Sequence, residues 1–200
     1  MAANAMNKAF TVALLMLLGA MTGCSRPVEE PPLAGAQIGG PFTLTDQDGR
    51  RRSNTEFDGK YRMIYFGYTF CPDVCPLDMQ HLMQGLKLFE KRDSARAALI
   101  QPIFISVDPK RDTSPVLKQW VTAFHPRLIG LTGTETEIAA VAKEYAIYYK
   151  VNPPAEGSQG YLVDHARQTI LFGKDGKPLA LISQDLDAEH IASELDRWTR

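Results

Sequence analysis

Cysteine is scarce in these 200 residues, with three in all, and an odd number leaves one thiol outside any internal pair. An excess of one charge is missing too. The 22 basic and 23 acidic side chains leave a formal charge of −1, which removes the electrostatic basis for binding nucleic acid. Beyond the N-terminus no apolar run reaches the roughly 18 residues of a membrane span, which excludes a chain that crosses a bilayer many times. Internal repeats and low-complexity blocks are absent as well. What is present, 44% hydrophobic and 22% charged residues, is the composition of a globular domain with an ample core.

The N-terminus reads as an address. Lys8 precedes an apolar run from Ala9 to Ala20, too short for a comfortable span, and Met21-Thr22-Gly23-Cys24 follows. Residues 1–23 fit a secretory signal, and the tetrapeptide resembles the lipobox of bacterial lipoproteins, which implies lipid attachment at Cys24. Residues 24–37, rich in Pro, Gly, Ala and Glu, read as a flexible tether, and 38–200 as one domain held outside the cytoplasm. With Cys24 assigned to the anchor, Cys71 and Cys75 are the remaining thiols.

Patterning predicts an α/β domain. Phe42–Thr45 enters an Asp48-Gly49 hairpin turn, and Met63–Tyr68 is a buried strand. Pro76 suits the start of a helix whose Met79, Leu82, Met83, Leu86 and Phe89 recur at helical spacing. Leu99–Val107 is a second buried strand, and Ser114 is the expected N-cap of the helix after it. Leu128–Leu131 is a short strand, Thr134 and Glu137 form a capping box, and Tyr148–Val151 is strand-like. Gln168–Phe172 and Leu179–Ile182 flank the turn Lys174-Asp175-Gly176-Lys177, and Asp187 caps a last helix. Strands alternating with helices imply a mainly parallel central sheet.

The chemistry concentrates at Cys71-Pro72-Asp73-Val74-Cys75-Pro76. Pro76 disfavours helix at Cys75, so both thiols are expected on a turn ahead of a helix, whose N-terminal field favours thiolate. Spacing leaves three uses open: a structural disulfide, redox chemistry, or a metal site. Among the four histidines, His81, His125 and His190 sit where helix-surface or helix-end roles suffice. His165 differs, because Asp164-His165 lies between a Gly-containing loop and the last hairpin. Met79 and Met83 fall on the apolar helical stripe, which points to packing rather than to thioether ligation.

Four motifs in order carry a family resemblance. Phe66–Pro76, Ile105-Ser106-Val107-Asp108-Pro109-Lys110-Arg111-Asp112-Thr113, Gly130–Gly133 and Val163-Asp164-His165 resemble the Sco/SenC family across nearly the whole domain. The resemblance implies a thioredoxin-like fold and a membrane-tethered copper metallochaperone that serves the copper A centre of cytochrome c oxidase. It assigns copper, as Cu(I) or Cu(II), to Cys71, Cys75 and His165, with a Cys71–Cys75 disulfide in the oxidised form. Two thiolates and one imidazole form a soft donor set suited to Cu(I), whereas structural zinc normally takes four protein ligands. Asp73, Asp108 and Asp164 are candidates to orient those ligands. The implied partners are the copper-binding subunit of the oxidase and other periplasmic copper chaperones, at the periplasmic face of a bacterial inner membrane. No enzymatic activity is implied. The rival is a thiol–disulfide reductase that keeps the oxidase cysteines reduced, although the motif is one residue longer than C-x-x-C.

Overall fold

A computed structural model describes residues 29–154, 157 and 160–200. Residues 1–23, read above as a signal, and Cys24 lie outside the described residues. The compact unit runs from Pro31 to Arg200. Residues 31–37, read as tether from composition, are docked onto it: the Leu33 N–H donates to the Leu179 carbonyl at 3.0 Å, and the Leu33 side chain packs against the core.

Two strands form the centre, β3 (Tyr61–Gly67) and β4 (Ile100–Ser106), and all seven residues of each are buried. They pair in parallel from Tyr61↔Ile100 to Gly67↔Ser106. Burial of both faces is what a parallel sheet covered by crossover helices requires, and it explains why these runs do not alternate. β5 (Ile129–Thr132) extends the parallel region beyond β4. Antiparallel hairpins complete both sides. β1 (Thr43–Asp46) and β2 (Arg51–Ser53) join beyond β5, while β8 (Thr169–Phe172) and β9 (Pro178–Ile182) join beyond β3. The sheet order is β2-β1-β5-β4-β3-β8-β9.

The crossover helix α1 (Val74–Arg92) follows β3. Met79, Leu82, Met83, Leu86 and Phe89 are all at most 2% exposed, so the helical stripe is core and the methionines pack. A short α2 (Ser94–Ala97) leads to β4. Thr113, not Ser114, holds the N-cap position of helix α3 (Ser114–Phe124), without a side-chain capping bond, and the Ser114 hydroxyl donates to the Asp46 carbonyl at 2.8 Å. Pro115 takes the second helical position, where its missing N–H is no loss. Helix α4 (Glu135–Glu144) carries the Thr134–Glu137 capping box, and α5 (Ala188–Trp198) is capped by Asp187. α5 packs closely on α1 because Gly85 is small: a Cβ there would lie 2.3 Å from Ile191 Cγ2.

β6 (Tyr149–Val151) matches the strand-like stretch read at Tyr148–Val151, but its partner escapes sequence patterning. β6 pairs with β7 (Val163–His165) in a separate antiparallel ribbon, with Tyr149 opposite His165. The ribbon positions His165.

Candidate metal centre

The chain leaves β3 at Gly67 and turns through Tyr68, Thr69 and Phe70 before reaching Cys71. Asp112 anchors that turn, accepting from the Thr69 N–H at 3.0 Å, the Thr69 hydroxyl at 2.6 Å and the Ser106 hydroxyl at 2.6 Å. Burial raises the Asp112 pKa, and the three hydrogen bonds oppose that rise. Cys71 is 8% exposed and Cys75 fully buried.

Cys75 lies within the first turn of α1, which begins at Val74, and not on the preceding turn as Pro76 suggested. The reason is positional. Pro76 is the third helical residue, where the backbone N–H has no intrahelical acceptor to lose. The Cys75 N–H instead donates to Cys71 Sγ at 3.4 Å. This places Cys71 in the field of a helix N-terminus, where a thiolate is favoured. The Cys71 pKa is pushed down to about 3, chiefly by the hydrogen bond from the Cys75 thiol; burial opposes this, and the Cys75 and Asp73 N–H groups assist. The Cys75 pKa is pushed up by the same bond to Cys71 and then by burial. The metal-free pair therefore shares one proton, with the negative charge on Cys71.

His165 ends β7 with its Nε2 3.2 Å from Cys75 Sγ. Its Nδ1 lies 3.1 Å from the Ala166 carbonyl, an oxygen that can only accept. Nδ1 therefore carries the proton, and Nε2 presents its lone pair toward the sulfurs. The rings of Tyr65 and Tyr68 meet the imidazole edge-on, at centroid distances of 6.2 and 5.8 Å. Gly67 makes room beneath the site, since a Cβ there would lie 3.0 Å from Cys75 Sγ and 2.7 Å from the Tyr65 ring. The ligand atoms of Cys71, Cys75 and His165 all lie within 4.8 Å of one another, the one such cluster of metal-ligating groups among the described residues.

The carboxylates behave differently from the reading by adjacency. Asp164 is exposed, and as the strand neighbour of His165 it points to the opposite face of the ribbon. Asp73 is exposed and makes no side-chain cap to α1. Asp108 is buried but committed to other groups, accepting from the Tyr161 hydroxyl at 2.6 Å and from Arg111 Nε. A backbone carbonyl, that of Ala166, does the orienting expected of a carboxylate. His125 is buried at the end of α3 against Glu90, His81 meets the Gln184 carbonyl, and His190 is exposed beside Asp187. None of these three joins the cluster.

Sequence reasoning missed Tyr65, Gly67, Tyr68, Asp112 and Arg111. Arg111 lies 3.7 Å over the Tyr161 ring and donates to the Tyr161 carbonyl at 2.9 Å, tying the chain ahead of β7 to the end of β4. Asp112 and Arg111 fell within a quoted motif, but spacing carries no sign of contacts across 43 and 50 residues.

The family model described as SCO1/SenC matches residues 30–200. The chain belongs to the SCO1/SenC family. It is 39% identical over 166 residues to the bovine mitochondrial SCO2 homologue, covering 82% of this chain and 61% of that protein. It thus spans about three fifths of that relative's length. The SCO2-like protein of Rickettsia felis is 35% identical over 200 residues, 96% of each chain. Among solved structures, Bradyrhizobium japonicum ScoI with copper bound superimposes at a TM-score of 0.72 and 38% identity, covering 80% of this chain and 99% of that one. The protein BsSco, described as a member of the Sco family of cytochrome c oxidase assembly proteins, shares the fold at a TM-score of 0.61 and 23% identity. The Sco fold is thioredoxin-like, and the architecture here matches it. Copper is bound in homologous Sco structures, and the cluster of Cys71, Cys75 and His165 can accept it.

Proposed function

We propose that this protein is a copper metallochaperone for cytochrome c oxidase, holding copper on Cys71, Cys75 and His165 and passing it to the copper-binding subunit of the oxidase at its copper A site. The convergence of two sulfurs and one Nε2 within 4.8 Å carries the reading. A thiolate is already formed at Cys71, and the lone pair of His165 already faces inward. Loading therefore displaces one proton, that on Cys75, and reorganises little. Three soft donors suit Cu(I), which tolerates low coordination numbers and can leave by stepwise exchange onto incoming ligands. Lipid attachment at Cys24 would hold the domain at the periplasmic face of a bacterial membrane, with other periplasmic copper chaperones as donors. No helix among the described residues is long and apolar enough to cross a membrane.

Oxidation of the pair to a Cys71–Cys75 disulfide would remove two electrons and the remaining thiol proton, and would destroy two of the three ligands. The disulfide partner or other two-electron oxidant that takes those electrons sets the loading state. Titration of the reduced chain with Cu(I) against a competing chelator tests the reading. One equivalent bound tightly, and lost in Cys71→Ser and Cys75→Ser, supports it; equal binding by the wild type and both variants overturns it.

A second reading, a thiol–disulfide reductase acting on the oxidase cysteines, draws support from the low Cys71 pKa, since a thiolate is the attacking species. Rapid catalytic turnover of a peptide disulfide, undiminished in His165→Ala, would favour it over the chaperone.

A further inference from the structure

Cys75 and Asp78 lie one turn apart on α1, so their side chains leave the same face of the helix, and both are buried. Across from them, His165 and Arg167 lie two residues apart in the segment leading from β7 to β8. The two pairs face each other. Cys75 Sγ is 3.2 Å from His165 Nε2, while the Asp78 carboxylate receives Arg167 Nη2 at 2.6 Å and Nε at 3.0 Å. Helix α1 and the histidine-bearing segment are thus joined by two rungs. One is the ligand cluster itself, and the other is a forked ion pair.

The second rung matters because of how β7 is held. Among the described residues the β6–β7 ribbon shares no ladder with the seven-stranded sheet, so sheet hydrogen bonds do not set the separation of His165 from Cys75. Ahead of β7, the Arg111 bond to the Tyr161 carbonyl ties the chain down. After β7, the tie is Arg167. A bidentate guanidinium–carboxylate fork fixes angle as well as distance. Asp78 is itself fixed, since the Tyr65 hydroxyl donates to its Oδ2 at 2.8 Å and the Tyr65 ring meets the His165 ring edge-on. Arg167 also reaches Asp185, in the connection between β9 and α5, at 3.0 Å.

We infer that Arg167, through its ion pair with Asp78, is the positioning residue that holds His165 Nε2 against the cysteine pair. The inference deepens the copper reading and rests on it for its effect on metal binding. Arg167 touches no ligand atom; it acts by registering the segment that carries one.

The test uses Arg167→Met in the full chain, alongside His165→Ala and the double variant. Cu(I) affinity should fall about 10- to 100-fold in Arg167→Met, the range seen when a ligand's supporting partner is removed. The visible spectrum of the Cu(II) form should move to that of His165→Ala. Because Arg167 acts through His165, adding Arg167→Met to His165→Ala should give almost no further loss. Wild-type affinity and spectrum in a folded Arg167→Met chain, or fully additive losses in the double variant, would overturn the inference. If Arg167→Met does not fold, Asp78→Asn/Arg167→Leu removes the ion pair without leaving a buried carboxylate alone, and keeps an acceptor for Tyr65; the same outcomes apply. A metal-free readout separates the two claims. The His165 Nδ1–H resonance, protected in the wild type by the Ala166 carbonyl, should broaden or exchange away in the variant. A wild-type chain that binds no copper defeats the functional reading alone, whereas an unchanged His165 resonance in the variant defeats this one.

Discussion

Cys75 Sγ and His165 Nε2 stand 3.2 Å apart although 90 residues of chain separate them. The sulfur arrives on the first turn of a buried helix, and the nitrogen on a small ribbon outside the main sheet. Their meeting turns a dithiol loop into a three-donor site, and the consequences can be measured.

Replacing His165 with alanine leaves both sulfurs in place but removes the one nitrogen donor. Copper affinity should fall by more than about 100-fold, beyond the range for a lost supporting partner. Cys71→Ser and Cys75→Ser should abolish tight binding. Competition titration of the three variants checks the order; His165→Ala binding as tightly as wild type would contradict it.

Gly67→Ala places a methyl group 3.0 Å from Cys75 Sγ and 2.7 Å from the Tyr65 ring. The Phe104 ring is a third neighbour at 3.0 Å, and none of the three can retreat, since Tyr65, Cys75 and Phe104 are all at most 1% exposed. Overpacking of this kind destabilises by about 1–3 kcal/mol. Urea denaturation should show a lower midpoint, and the displaced sulfur should weaken copper binding as well.

The proton shared between the sulfurs predicts an asymmetry toward alkylating agents. With a pKa of about 3, Cys71 is thiolate throughout the neutral and mildly acidic range, while the Cys75 pKa is raised. In the metal-free reduced protein, iodoacetamide should label Cys71 first, at a rate nearly flat between about pH 5 and 8. An ordinary thiol would instead react about tenfold faster with each pH unit over that interval. Peptide mapping after brief labelling distinguishes the two.

His125 contributes to stability with a defined sign. Burial lowers its pKa, against the opposing pull of Glu90, so below the unfolded value of about 6.5 the unfolded chain takes up a proton that the folded chain resists. Stability therefore falls as pH drops from about 6.5 toward the depressed folded value, and is unaffected by this group above that window. In His125→Asn, the amide oxygen can still accept from the Arg127 N–H, which His125 Nδ1 now does at 3.2 Å. The loss of stability between about pH 6.5 and 5 should be shallower in that variant, read from denaturation midpoints.

Much of the site was legible in the sequence because its parts were local. The buried runs of β3 and β4, the helical stripe of α1 and the Asp-Gly turns follow from patterns within a few residues, and they place Cys71 and Cys75 just beyond the C-terminal end of a central strand. His165 stood apart from His125 by its place between a Gly-containing loop and the last hairpin, but only the family motif made it a ligand. The failures were equally physical. Pro76 acts on the residue before it by steric bias, yet the first helical turn tolerates proline, so the helix began earlier than expected. Adjacency suggested Asp73 and Asp164 as ligand-orienting groups, but strand alternation turned Asp164 away and the Ala166 carbonyl took the task. The Asp78–Arg167 pair, 89 residues apart, is a tertiary contact that no periodicity announces.

X-ray absorption of the copper-loaded chain tests the central claim most directly. The account predicts two sulfur scatterers and one imidazole around the metal, with the imidazole multiple-scattering signal lost in His165→Ala and both sulfurs retained. A copper environment of nitrogen and oxygen alone, or an imidazole signal that persists in His165→Ala, would contradict it.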